Sequence, residues 1–415
     1  MEIDMVQQKP TRVLIACDYF WPSIGGVEII AENLGYELTQ RGFQVDVATG
    51  THPARIGSFH RGMKVLSLDR RPGWFSRSPR NVRHLRRLLE KGNYAGSILI
   101  ADPMNWVLWS IEGADLPEST KLAIQPLVNE EGYEKWRGDK EFRRRLVGVL
   151  RRATMVVALT RGGQEIRFLN EEGIPSVYLP NAVGTVRPSV NFREHHGIPD
   201  GIPILLHVAN LWPVKNHLGL IECLRDLEGD WRLVLIGHVS SDAAYTEQVR
   251  AAVVKDPRVM WIPGAAPEEI SAAMEAAHIV LLASHGEVSP LTILEAMSHG
   301  RPWVATPSCG AVHDWAGGMV VPLAKFQVVL RRLLGDPALR KTLGEAGYDH
   351  WKECYTWEAV VSGWESFLLT GTVGSSFAMP DEIAARMTSA KSAIMATCPG
   401  EPGSCHENGI ITFPP

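Results

Sequence analysis

The 415-residue chain has no run of 18 apolar residues, so nothing in it spans a bilayer as a helix. Its start, Met1-Glu2-Ile3-Asp4-Met5, lacks the basic and apolar regions of a secretory signal, which points to the cytoplasm. Cysteine is scarce. The six cysteines show no Cys-x-x-Cys spacing, which argues against structural zinc and against a disulfide framework. Cys398, Cys405 and His406 lie in a Pro/Gly-rich tail, where clustering by chance is the simpler reading. Neither sign of charge dominates: the formal net charge of -4 argues against nucleic acid as a partner.

What is present is a repeated strand and helix alternation. Arg12 to Cys17 reads as a strand, Pro22 to Gly26 as a turn, Ile29 to Leu38 as a helix and Gln44 to Ala48 as the next strand. Strand-like runs follow at Ser97 to Ile100, Leu122 to Leu127, Met155 to Leu159 and Val177 to Leu179. After a Pro- and Gly-containing linker, a second series has strands at Ile204 to Val208, Leu233 to Ile236, Val259 to Ile262, Ile279 to Leu282 and Trp303 to Ala305. Asp336-Pro337 and Tyr355-Thr356-Trp357 open two late helices. The pattern predicts two Rossmann-like halves with parallel sheets, whose ligands bind beyond the carboxyl ends of the strands.

The segment Ala283 to Pro302 places Glu287 in a loop and Glu295 in the helix behind it, with Ser289 as the expected N-cap and Pro290 at the first helical position. The two carboxylates flank a helix N-terminus suited to an anion. Glu-x7-Glu followed by Ala296-Met297, Gly300 and Pro302 resembles the donor-site signature of retaining family-4 glycosyltransferases of the GT-B fold. The resemblance covers about residues 11 to 369. It implies an α/β protein with two Rossmann-like domains facing each other across a cleft. Residues 1–183 correspond to the acceptor domain, 184–355 to the nucleotide-sugar donor domain and 356–369 to a closing helix that returns to the first domain. Residues 370–415 form an unassigned tail, helical in composition over Asp381 to Ala396.

In that family the first glutamate, here Glu287, accepts hydrogen bonds from the transferred sugar, and the second, Glu295, holds the ribose. Backbone N–H groups around Ser289 and Leu291 face the diphosphate, and Lys215 matches the family lysine that neutralises it. Asn210 stands where the family has arginine; an amide donates a hydrogen bond but brings no charge. Arg301 is a candidate substitute cation. Gly25 and Gly26 resemble the family's N-terminal glycine loop, whose backbone N–H groups approach phosphate or the acceptor, and are expected to bind the donor; they do not form the Gly-x-Gly-x-x-Gly of a nicotinamide site. The family's first-domain histidine has no counterpart between His84 and His195, and Asp102 and Asn129 are the strand-end candidates facing an acceptor. Trp21, Trp106, Trp109 and Trp136 are read as core residues before sugar platforms.

The resemblance therefore implies a hexosyltransferase that uses a nucleotide diphosphate sugar as co-substrate, with no metal or other cofactor. The acceptor is unidentified: a cell-surface glycan, a lipid-linked sugar or another glycoside precursor. A catalytically silent nucleotide-sugar-binding subunit and a nucleotide-sugar epimerase are the rival readings. Arg55 to Lys91 carries eleven basic residues against two acidic ones, with an apolar stripe at Val82, Leu85, Leu88 and Leu89. It is either an amphipathic helix with a solvated basic face or a surface for an anionic acceptor or an anionic membrane at the inner face.

Overall fold

A computed structural model describes residues 11–68 and 79–374, with isolated tail positions that include the two-residue strands Ser404–Cys405 and Ile411–Thr412. The helical expectation for Asp381 to Ala396 lies outside the described residues apart from single positions.

The first sheet has strands β1 (Arg12–Ala16), β2 (Gln44–Gly50), β3 (Phe59–His60), β4 (Met63–Leu68), β5 (Gly96–Ile100), β6 (Lys121–Gln125), β7 (Met155–Ala158) and β8 (Val177–Tyr178), in the order β3-β4-β2-β1-β5-β6-β7-β8. All pairings are parallel except the β3/β4 hairpin. Val13, Leu14 and Ile15 of β1 are fully buried, with Val13 and Ile15 in one core cluster and Leu14 in the other. Burial on both faces gives the continuous apolar run of a central parallel strand.

The second sheet contains β9 (Ile204–Val208), β10 (Arg232–Ile236), β11 (Val259–Ile262), β12 (Ile279–Leu282), β13 (Trp303–Ala305) and β14 (Gly318–Val320), in the order β11-β10-β9-β12-β13-β14. Every pairing is parallel. Each sheet thus reverses direction of growth once: at β1, which lies between β2 and β5, and at β9, which lies between β10 and β12. Such switch points leave a crevice at the strand ends.

Three strands, β4, β3 and β14, were not expected. The first two lie inside the basic stretch, where the alternation of buried Met63, Val65 and Leu68 with exposed Lys64 and Ser67 makes a half-exposed strand. The helix Trp357–Thr370, capped by Thr356 accepting from the Ala359 N–H, sends Val360, Val361, Trp364, Phe367 and Leu368 into the first domain's core. Lys121 Nζ donates to the carbonyls of Leu368 and Leu369 at 2.9 and 2.6 Å, and Arg41 pairs with Glu365 at 2.9 Å. Cys17, Cys223, Cys309 and Cys354 are free thiols. No described helix is long and apolar enough to cross a membrane.

Candidate donor site at the carboxyl edge of the second sheet

The second switch point is assembled from the chain that leaves β9 and the chain that leaves β12. After β9, Pro213–Lys215 form a short 3-10 turn, and Asn216 follows in the left-handed region at φ 56. The Asn216 side chain donates to the Ala283 carbonyl at 3.1 Å, and the His285 N–H donates to the Val214 carbonyl at 2.7 Å, so the two loops are stitched together. Lys215 then meets Glu287: Nζ donates to Oε1 at 2.5 Å, with the side chains 24% and 14% exposed. The Ser284 hydroxyl donates to the same oxygen at 2.9 Å.

The loop holding Glu287 is fixed by its own main chain. The Glu287 N–H donates to the Ser308 carbonyl at 3.0 Å, and the Ala311 N–H to the Val288 carbonyl at 2.8 Å. Thr306 and Ser308 hydroxyls both donate to the Ser284 carbonyl, at 2.6 and 2.9 Å. Gly310 sits at φ +48, and a Cβ there would lie 2.3 Å from the Val288 carbonyl oxygen, so only glycine fits. Beneath the loop, His207 Nδ1 donates to the Leu281 carbonyl at 2.9 Å, and burial pushes its pKa down to about 4. Burial and His207 likewise lower His217 to about 3, so both imidazoles are neutral packing groups at pH 7.

Ser289 does not act as the expected cap. The helix runs Leu291–Ser298 with Pro290 at its cap position, no side chain accepts its first N–H groups, and the Ser289 hydroxyl is buried without a hydrogen-bond partner. Pro290 explains the shift: its own φ of -71 suits a helix, but its ψ of 114 keeps it extended. Val288 and Leu291 pack against the first domain's core cluster, which turns this helix start toward the cleft. Glu295, one turn farther on, is half-buried, and its carboxyl makes no hydrogen bond or ion pair among the described residues. Burial alone raises its pKa to about 7.

Asn210 is committed on both sides. Its Nδ2 donates to the Ile24 carbonyl at 3.2 Å and its Oδ1 accepts from the His238 N–H at 3.1 Å. The amide therefore ties the glycine loop of the first domain to the donor-side loops. Arg301 is not the substitute cation: it precedes β13 and lies at the amino end of the sheet, opposite Lys215.

Across the cleft, the first switch point holds Gly25 and Gly26, after β1, and Asp102, after β5. Gly25 is extended at φ -169; a Cβ there would fall 2.5 Å from the Glu28 carboxylate. Burial raises the pKa of both Glu28 and Asp102. Asp102 Oδ1 accepts from the Met104 N–H at 2.7 Å. Asn129 caps the helix Glu130–Trp136 by accepting from the Gly132 N–H at 2.7 Å. Asp102 and Asn129 are brought together: a Cβ on Gly132 would be 3.6 Å from Asp102 Oδ2 and 3.0 Å from Asn129 Oδ1. The tip of the donor loop reaches them, since a Cβ on Gly286 would be 3.2 Å from Glu131 and 3.7 Å from Asn129 Oδ1.

The four tryptophans are structural: Trp106, Trp109 and Trp136 are buried, Trp106 donates to Asp18 Oδ1 at 2.6 Å, and Trp21 stacks on His60 at 4.3 Å. Ser284 is absent from the sequence-based candidates although it stands three residues before Glu287; the bond between them is a local turn contact. A second cross-domain tie was equally unexpected: Asp314 Oδ2 accepts from the Arg161 N–H at 2.7 Å and the Thr160 hydroxyl at 3.1 Å.

Residues 189–350 match the family described as Glycosyl transferases group 1. The chain carries a group 1 glycosyltransferase domain. A D-inositol 3-phosphate glycosyltransferase of Corynebacterium efficiens is 27% identical over 201 residues, 45% of this chain and 46% of the relative. The matches to the first curated relatives thus span about half of their length or less. Two solved structures extend the likeness over the whole two-domain unit. A sucrose-phosphate synthase from Thermosynechococcus elongatus superposes with TM-score 0.73 at 19% identity, covering 86% of this chain and 98% of that one. Anabaena HepE, in complex with UDP and glucose, superposes with TM-score 0.69 at 17% identity, covering 87% and 100%. The fold is GT-B. The group 1 domain contains every donor-side residue named above, from Asn210 to Glu295.

Proposed function

We propose that the protein transfers a hexose-type sugar from a nucleoside diphosphate donor, with retention of anomeric configuration, to an acceptor bound in the cleft beside Asp102 and Asn129. The observation that supports it most is the Lys215–Glu287 pair at the second switch point, beside a helix start whose N–H groups have no side-chain cap.

In this reading the Lys215 ammonium and the N–H groups at the start of Leu291–Ser298 stabilise charge that grows on the diphosphate as the glycosidic C–O bond breaks. Glu287 accepts from sugar hydroxyls, fixed in place by Ser284. Glu295 accepts from the ribose, and the unpartnered Ser289 hydroxyl serves the phosphates. The acceptor oxygen attacks from the face the phosphate leaves, and its proton passes to the departing phosphate oxygen. The positive charge needed is supplied by the protein, so no metal or other cofactor takes part. EDTA is expected to leave the rate unchanged. Anabaena HepE, solved with UDP and glucose and with UDP-glucose, makes UDP the first nucleotide to test. The comparisons do not favour the silent-subunit or epimerase readings.

The basic helix Pro79–Lys91 is a weaker membrane or acceptor surface than its composition suggested. Its Val82, Leu85, Leu88 and Leu89 stripe packs on the first domain. Arg86 is drawn inward to the Ser110 carbonyl at 3.2 Å and to the Glu112 carbonyl. Arg61 pairs with Glu32 at 3.1 Å, and Arg55 anchors the Phe20 and Trp21 carbonyls. What remains toward solvent on this helix includes Arg83, Arg87 and Lys91; we keep peripheral contact with an anionic membrane in the cytoplasm, or with an anionic acceptor, as the role proposed for that face.

The direct test is donor-dependent transfer by the purified full chain, screened over UDP-sugars and small glycoside or anionic acceptors, with the product anomer read by NMR. An inverted product overturns retention, and UDP-sugar binding with no transfer to any acceptor overturns the transferase reading.

A further inference from the structure

On the edge of the second sheet opposite Lys215 and Glu287, a cavity of about 660 Å³ opens between the amino ends of β12 and β13 and the helix Pro337–Cys354. The four residues of β12 alone separate the two edges by roughly 13 Å. Glycines bring the walls together. A Cβ on Gly344 of the helix would lie 2.0 Å from the Gly300 carbonyl oxygen, so helix and turn meet main chain to main chain. Gly300 itself turns at φ +61, and the Arg301 N–H closes the turn onto the Ala296 carbonyl at 2.8 Å. The result sets Arg301 beside Arg340 and Lys341, with His278 at the entrance to β12 as a further wall.

Arg301 is the anomaly in this wall. Its side chain is half-buried, its Nε is buried without a hydrogen-bond partner, and the side chain makes no hydrogen bond or ion pair among the described residues. Only a longer-range attraction to Glu275 opposes its charge. The neighbouring groups are committed elsewhere. Arg340 donates to the Leu333 and Leu334 carbonyls at 2.5 and 2.9 Å, Lys341 stands 3.8 Å from Glu345, and His278 Nδ1 accepts from the Ile204 N–H at 3.2 Å. A half-buried guanidinium whose Nε has no partner is costly, and its planar fork matches the oxygens of a phosphate. Glu345 and Asp349 also line the cavity. Carboxylates repel a bare anion but accept hydrogen bonds from hydroxyl groups.

We infer that this cavity is a second ligand site, separate from the donor site, for a small organic phosphate that carries hydroxyl groups, with Arg301 holding the phosphate and Glu345 and Asp349 receiving the hydroxyls. Arg340 and Lys341 add positive field at the phosphate end.

The full chain is titrated calorimetrically with glycerol 2-phosphate, inorganic phosphate and glycerol at fixed ionic strength, in the parent and in Lys215→Ala, which silences phosphate binding at the donor site. The expected result is saturable binding of glycerol 2-phosphate, several-fold tighter than inorganic phosphate, unchanged in Lys215→Ala and weakened at least tenfold in Arg301→Gln. Lys341→Gln, at a side chain 76% exposed, leaves the fold intact and should weaken binding a few-fold, which keeps the test decisive if Arg301→Gln does not fold. Equal binding in parent and both variants, or no saturable binding of either phosphate, overturns the site. Inorganic phosphate binding as tightly as glycerol 2-phosphate overturns the hydroxyl-bearing class of ligand. UDP binding is a separate readout, so failure here leaves the donor-site reading standing.

Discussion

The two switch points are built alike and charged differently. At the first, between β1 and β5, the nearby carboxyls of Glu28 and Asp102 are pushed toward their neutral forms by burial. At the second, between β9 and β12, a lysine is present and is paired to Glu287 at 2.5 Å. A diphosphate needs positive field, and a sugar or polyol acceptor needs hydrogen-bonding groups that do not repel its oxygens. In the proposed function the same βαβ geometry serves the donor on one side and the acceptor on the other because of which side chains end the strands. The two switch points approach each other where the Gly286 loop tip reaches Glu131 and Asn129, a close approach that a side chain at 286 would crowd.

The sharpest way to break that comparison is Glu287→Ala. It removes the sugar-facing carboxylate and frees Lys215, and transfer should fall by about a hundredfold or more, with the melting temperature nearly unchanged. A loss of only a few-fold would move the sugar site elsewhere.

Glu295 gives a pH signature on the donor side. Its folded carboxyl titrates near 7 against an ordinary value of 4.5, so the folded chain holds a proton that the unfolded chain has released. Stability from this group therefore declines as pH rises from about 4.5 to about 7. Only the ionised form is a full acceptor for ribose hydroxyls, so UDP affinity should rise by up to about tenfold between pH 6 and pH 8. The rise should be flattened in Glu295→Gln, the difference between the two chains removing titration of UDP itself. Parallel pH curves would show that Glu295 does not touch the nucleotide.

On the acceptor side, Asn129→Ala removes a helix cap worth about 1 kcal/mol. It should raise the acceptor KM several-fold while UDP affinity stays at the parent value. An equal loss of donor binding would show that the two switch points are not separate in function. The smallest effect is expected on the basic helix. Arg83→Glu with Arg87→Glu should lower binding to anionic vesicles about two- to fivefold at low salt, an effect that fades as the Debye length shrinks. Unchanged binding would make this face a solvated surface.

The second domain was the more legible of the two. β9, β11 and β12 fall on their expected residues because each is a short apolar run, interrupted only by His207 in β9, that starts directly after a Pro or polar residue. β4 escaped because its outward face is polar and sits within a basic stretch, and β14 because it is three residues long and begins with glycine. Glu287 and Lys215 could be placed from strand order, since each follows the carboxyl end of a strand. Arg301 carries the opposite signal, standing just before the amino end of β13, and strand order alone sets it away from the donor. The double use of the Asn210 amide, and the contact of Gly286 with Asn129, depend on how the two domains meet, which no local pattern encodes.

The central claim is that donor binding belongs to the second switch point. Calorimetric titration of UDP into the parent, Lys215→Ala and Asn129→Ala tests it most directly. Loss of a charge-assisted phosphate contact, about 1.5–3 kcal/mol, should weaken UDP roughly ten- to 150-fold in Lys215→Ala, while Asn129→Ala binds as the parent does. Parent-like affinity in Lys215→Ala, with the loss appearing in Asn129→Ala, would contradict it.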